Sequence, residues 1–141
     1  MNLQVGPTED LATCHALRRA VFIEEQNVPE ALEVDGLDPQ ALHVLAVLDG
    51  RPVGCARVLI KGETAKIGRV CVLRALRGQG IGVALIEGAL ALLRAQPGVA
   101  WAMLGSQTHA IGFYARLGFV ARGPEYLDAG IPHRDMWRAL Q

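Results

Sequence analysis

Three alternating glycines, Gly78, Gly80 and Gly82, fall between a β-branched run that ends near Leu73 and an apolar helical repeat that begins at Ile81. Glycine inside a helix costs about 1 kcal/mol relative to alanine, so three at a helix entrance call for a local reason. One reason is a turn packed closely against a neighbouring element. The other is chemical: bare backbone lets N–H groups meet an anion at a helix N-terminus, where unpaired donors and the macrodipole both favour negative charge.

The elements around this run narrow the fold. Leu3 to Val5 reads as a short strand, and Thr8-Glu9-Asp10 offers a cap for a helix whose apolar positions continue to about Glu25. Asn27-Val28-Pro29-Glu30 ends that helix, and Asp35 to Pro39 reads as loop. His43 to Leu48 and Val53 to Ile60 flank the turn Asp49-Gly50, and Lys61-Gly62-Glu63 leads into Ala65 to Leu73. After the glycine run, a helix from Ile81 stops at Pro97-Gly98. Val99 to Leu104 follows as a strand, then a helix through Phe113 and Tyr114 to Gly118, then Phe119 to Ala121 and Asp135 to Leu140 as arms of a hairpin joined by a long loop. The order β-α-β-β-β-α-β-α-β-β predicts an α+β fold: a mixed, largely antiparallel sheet of six to seven strands flanked by helices.

A length of 141 residues, 51% of them hydrophobic, suits a single domain spanning 1–141. Fourteen basic and fourteen acidic residues cancel, so neither nucleic acid nor an anionic membrane is expected as partner. No leader-like or membrane-spanning run is evident, which makes cytoplasm the expected location. Cys14, Cys55 and Cys71 lack metal-ligand spacing and read as reduced, buried thiols, and no metal is expected.

Two nucleotide motifs fail on spacing. The dinucleotide pattern G-x-G-x-x-G would need glycine at Val83, and no Gly-Lys-Ser/Thr exists. What remains is Arg77-x-x-Gly80-x-Gly82, followed by Gln107-x-x-Ala110-x-x-Phe113-Tyr114-x-x-x-Gly118-Phe119. In these two motifs the chain resembles the GCN5-related N-acetyltransferase (GNAT) family, whose acyl-CoA loop reads Arg/Gln-x-x-Gly-x-Gly/Ala. The second motif departs at its first position, where the family commonly has Asn and this chain has Gln107. Further segments, Leu17 to Gln26, the Glu33-x-Asp35 pair, Ile67 to Val72 and Asp128 to Met136, look like a small bacterial subgroup typified by the ElaA and YjcF proteins. Nearly the whole chain is covered.

The resemblance implies acetyl-CoA as co-substrate. Its diphosphate would lie on the N–H groups of Gly78, Gln79, Gly80, Ile81 and Gly82, with Arg77 adding charge. Its pantetheine would pair with the backbone of Val70, Cys71 and Val72, and would meet Gln107 and Phe113. The resemblance further casts Tyr114 as the acid that protonates the leaving thiolate, although a Phe-Tyr pair at helical spacing also suits a core. It casts the Val72 N–H as the group that polarises the thioester carbonyl.

The base is open at this point: Glu24, Glu25, Glu33 and Asp35 fall where such folds build the acceptor wall, and Glu25 is carried as the catalytic choice. Each is also an ordinary solvated charge. Glu24, Arg69 and His133 are candidate acceptor contacts. His43 reads as a satisfied core histidine and His109 as a helix-surface residue. Arg57 and Arg69 sit in apolar strands and need either structural carboxylates or an acidic acceptor, alternatives that the sequence does not separate.

The expected activity is direct acetyl transfer to a primary amine of a small molecule or peptide, with a homodimer compatible with the fold. A covalent route through Cys71 is the weaker mechanism. The alternative function is a non-catalytic acyl-CoA-binding module.

Overall fold

In a computed structural model, which describes residues 2–141, the chain forms one eight-stranded sheet with helices on both faces. The elements in order are β1 (Leu3–Thr8), α1 (Leu11–Arg18) continued by a π-helical segment Arg19–Glu25, α2 (Glu30–Glu33), β2 (Leu42–Leu48), β3 (Arg51–Lys61) and β4 (Thr64–Val72). After the glycine run come α3 (Ile81–Arg94), β5 (Trp101–Gln107), α4 (Ile111–Ala115), β6 (Val120–Ala121), β7 (Tyr126–Asp128) and β8 (Ile131–Ala139). The strand order is β1-β2-β3-β4-β5-β8-β6, with β7 also paired to β8.

Every pairing is antiparallel except β4 with β5. The Asp49-Gly50 turn joins β2 and β3 with both residues at positive φ, as a tight hairpin turn of the primed type requires. β2 and β3 read as apolar runs because they are buried on both faces. Val44, Ala46, Ala56 and Val58 meet α3 on one side, while Leu45 and Cys55 meet α1 on the other. α3 buries Ile81, Leu85, Ile86, Ala89, Leu90 and Leu93 on the sheet, the larger of these side chains each stabilising the fold by about 1.5–3 kcal/mol.

Several boundaries differ from the sequence reading, for physical reasons. β1 extends through Pro7 because it is an edge strand, where a missing N–H costs no ladder bond. Asp10 supplies the α1 cap, its carboxylate accepting from the Thr13 N–H at 3.2 Å. The segment beyond Pro29 winds into the short α2 with Pro29 at its N-cap. The expected long loop before the last strand contains β7, turned back onto β8 by Ala129 and Gly130 at positive φ, which brings the strand count to eight. No helix of the described residues is long and apolar enough to cross a membrane.

Candidate active site

The glycine run resolves into two kinds of glycine. Gly78 and Gly80 adopt φ of 81° and 84°, the left-handed region that glycine enters without steric cost, and Gly80 is the N-cap of α3. Gly82 lies inside the first helical turn, where an added Cβ would sit 3.5 Å from Phe113 Cζ, an ordinary contact. No side chain caps α3, so its first N–H groups open into a cleft of about 370 Å³ lined by Val72, Leu76, Arg77, Gly78, Gly80, Gly82 and Phe113. Gln79 is exposed in this loop, and Ile81 is buried beneath it as an anchor for the helix start. An uncapped fourteen-residue helix behind a backbone-lined cleft fits a diphosphate.

Arg77 does not aim its charge at that cleft. Its guanidinium forms a fork on Glu25, at 2.5 and 2.6 Å, while Nε donates to the Val72 carbonyl at 3.0 Å. Those hydrogen bonds from Arg77 hold the Glu25 carboxyl below its usual range. The structure therefore brings Glu25 and Arg77 together as a brace between the first helical segment and β4. Glu24 is exposed, 3.8 Å from Arg19.

A second opening lies between β4 and β5. Their parallel ladder runs only from Thr64 to Lys66, paired with Trp101 to Met103, and the strands separate beyond it. Further along β4 the register against β3 slips, with Ala56 facing two residues, Arg69 and Val70. This bulge puts Arg69 at φ 50°, an uncommon conformation for a side chain of its size. The Leu73 N–H donates to Val53 on β3, so strand alternation turns the backbone N–H of Val72 the other way, away from β3. Cys71 beside it pairs its backbone with Cys55.

The Cys71 side chain packs in the small core beneath α1 with Cys14, Leu17, Val21 and Cys55, its sulfur 3.6 Å from that of Cys55. All three thiols are free and buried. Hydrogen bonds with Cys14 and Cys71, together with burial, push the Cys55 thiol far up. Cys71 lines neither cleft, a poor setting for a nucleophile.

The gap between β4 and β5 is a cleft of about 320 Å³ that gathers residues from six parts of the chain. Phe22 and Gln26 come from the end of the first helical region, Leu32 and Glu33 from α2, Lys66, Arg69 and Val70 from β4, Gly105 and Gln107 from β5, and Tyr114 from α4. Tyr126, Asp128 and His133 come from the terminal hairpin. Tyr114 is held edge-on between Phe113 and Phe119, with ring centroids 5.0 and 6.1 Å away. Burial raises its phenol pKa, which keeps the proton on the oxygen at neutral pH. Gln107 Oε1 is bonded to His109 Nε2 at 2.7 Å, so the expected surface histidine orients the motif's amide.

His133 Nδ1 lies 2.7 Å from the Ile131 carbonyl, which can only accept. Nδ1 is therefore the protonated nitrogen of the neutral ring, and Nε2 keeps a free lone pair. The ring stacks on Tyr126, whose hydroxyl donates to Asp135 at 2.6 Å. Burial and the Asp135 carboxylate push the Tyr126 phenol well above its ordinary value. Gly105 makes room for that hydroxyl, because any Cβ there would collide with it. Tyr126 was not singled out in the sequence, and its signal, a tyrosine in an apparent loop, was too weak to find it.

Beside this cleft lies a charge network. Arg18, 2% exposed, donates Nε to Glu33 at 2.7 Å and its fork to both oxygens of Asp38 at 2.9 and 2.7 Å. Burial alone would lower the Arg18 pKa, but the hydrogen bonds to Asp38 and Glu33 outweigh it and raise it. Arg57 forks onto Asp35 at 2.8 and 2.7 Å and reaches Asp38 at 3.2 Å. His15 Nε2 is 2.7 Å from Asp38, and His43 Nε2 is 3.0 Å from the Asp38 carbonyl, so the core histidine is satisfied. The question left open for Arg57 is decided in favour of structural carboxylates. Of the four acidic candidates for the base, Glu33 alone lines the cleft.

Residues 7–140 match the family model described as the acetyltransferase (GNAT) domain. The chain belongs to the GNAT acetyltransferase family. It is 37% identical to the uncharacterized N-acetyltransferase YjcF of Bacillus subtilis over 131 residues, covering 92% of this chain and 93% of that one. Among solved structures it is similar to an acyl-CoA N-acyltransferase from Pseudomonas aeruginosa, with TM-score 0.85, 35% identity and coverage of 98% and 99%. Escherichia coli ElaA follows with TM-score 0.81, 32% identity and coverage of 97% and 98%.

Proposed function

We propose that this GNAT chain transfers the acetyl group of acetyl-CoA directly to a primary amine. The carrying observation is that the two clefts lie along the end of β4: Val72 lines the one at the uncapped N-terminus of α3, and Val70 lines the strand gap that holds Tyr114. Acetyl-CoA supplies the activated thioester. The N–H groups from Gly78 to Gly82 receive its diphosphate, and the backbone of Val70 and Val72 receives the pantetheine as an added strand would be received.

The Val72 N–H donates to the carbonyl oxygen as it gains charge during attack, and Tyr114 gives its proton to the departing thiolate. The Glu33 carboxylate is held by Arg18, so Asp128 is the lining carboxylate that draws the acceptor's ammonium into the cleft by charge. His133 Nε2, with its lone pair held free by the Ile131 contact, takes the amine's proton. Glu25 braces Arg77 in this reading rather than serving as the base.

Thiol release with acetyl-CoA and an amine panel tests the reading. Tyr114→Phe is expected to lower kcat by about 100-fold with little change in CoA affinity, within the range for loss of a general acid. Full activity of that variant would remove Tyr114 as the acid. Saturable CoA binding without turnover on any amine would favour a binding module, and parallel-line initial velocities would count against direct transfer.

A further inference from the structure

The three arginines of the acceptor side are unequally satisfied. Arg18 and Arg57 each place a fork on a carboxylate at 2.7 to 2.9 Å. Arg69 uses Nη2 alone, and at longer range: 3.1 Å to the Glu33 carbonyl, 3.3 Å to the Leu32 carbonyl, and 3.3 Å to Asp35 Oδ2, an oxygen already bonded to Arg57. Its Nε, like that of Arg57, is buried with no hydrogen-bond partner among the described residues, but Arg57 has a carboxylate on its fork and Arg69 does not. Arg69 also lines the cleft, where the β4 bulge presents it.

We infer that Arg69 reads an anionic group on the acceptor, so that the substrate class is an amine that also carries a carboxylate. This rests on the acetyl-transfer reading for the identity of the acceptor, but the anion site itself stands on Arg69. A guanidinium has five donors in a planar fork matched to a carboxylate, and a partly desolvated one without a dedicated anion gains by acquiring one. Burial and the neighbouring Arg57 both lower its pKa, the direction an incoming carboxylate would reverse. Lys66, one strand turn away, adds a second cation to the same wall.

The opposite charge in the lining suits the amine end. Asp128 places a carboxylate in the same cleft as Arg69 and Lys66, and an ammonium complements it. Phe22, Leu32 and Tyr126 supply apolar surface between the charges. A cleft with both signs recognises a molecule with both signs. Free amino acids and the termini of short peptides share this chemistry, and the test separates them.

Binding and turnover are measured separately. With CoA bound, calorimetric titration of a panel of N-acetyl amino acids and their matching C-terminal amides probes the anion site without chemistry. At least about a tenfold preference for carboxylate over amide is expected in the best pair, the scale of a charge-assisted hydrogen bond. In Arg69→Gln that ratio falls below about twofold, and Arg69→Lys, which keeps charge without the fork, lies between the two. N-acetyl dipeptides in place of N-acetyl amino acids distinguish a peptide terminus from a free amino acid. Equal binding of acids and amides in the wild type, no binding of either, or an unchanged ratio in a folded Arg69→Gln overturns the inference. Thermal melts establish which variants fold. Carboxylate preference in binding without thiol release from any free amino acid or dipeptide would sustain the anion site and remove the transfer reading instead.

Discussion

The two sides of the site are built from opposite materials. The proposed diphosphate cradle is one contiguous piece of backbone, Arg77 to Gly82, defined by its N–H groups and the φ angles of Gly78 and Gly80. The acceptor side is made of side chains from α1, α2, β3, β4 and the loop at Asp38, locked by ion pairs at 2.7 to 3.3 Å. In the proposed function the first receives the diphosphate that every acyl-CoA carries, which needs no side-chain chemistry. In the same proposal the second discriminates among amines, and its charges are fixed so that one of them, Arg69, is left loosely engaged.

Removing a charge from the network gives the largest expected effect. Arg18→Met leaves Glu33 and Asp38 without their main partner and is expected to cost about 3–5 kcal/mol in urea unfolding. CoA affinity of the folded protein should stay within about twofold. A comparable loss of CoA affinity would show that the two sides are coupled, with Glu25 and Arg77 as the connection.

Acid titration probes the same network more gently. The Arg57 fork pulls the Asp35 carboxyl down to about 2, from an unfolded value near 3.9. A depressed folded pKa contributes stability that is fully present above about pH 4 and is lost as pH falls toward 2. The contribution is on the order of 2 kcal/mol, and Asp35→Asn should flatten the stability profile over that window. An unchanged slope would show that the Asp35 pair contributes nothing net.

On the CoA side the effects should be smaller and of opposite sign at neighbouring positions. Gly80→Ala places a Cβ at φ 84° and should cost about 1–2 kcal/mol of stability and weaken CoA binding. Gly82→Ala, inside the helix and with room beside Phe113, should stabilise by up to about 1 kcal/mol and retain binding. Equal effects at the two positions would contradict the assignment of Gly80 to left-handed turn geometry and of Gly82 to the regular first turn of α3.

Legibility followed the same division. The β2-β3-β4 meander and α3 were readable because apolar periodicity and the turns at Gly50 and Gly62 act locally. The strand β7 was hidden because Tyr126–Asp128 is short, exposed and stabilised by β8 alone. In the site, Tyr114 and the glycine run were found through motifs. The pairing of Glu25 with Arg77 lies 52 residues apart in sequence and leaves no local trace.

The sequence by itself determined where an uncapped helix would begin, since left-handed backbone and a missing side-chain cap are properties of adjacent residues. It also supplied the residues from which the fold's family could be read. Only the tertiary structure decided which arginine is spent on the fold and which faces the cleft. Arg57 and Arg69 are equivalent as letters in apolar strands. They differ because Asp35 and Asp38 are folded against one, while a bulge turns the other toward the gap. Long-range electrostatics is set by where the chain brings charges together, and spacing along the chain does not record that.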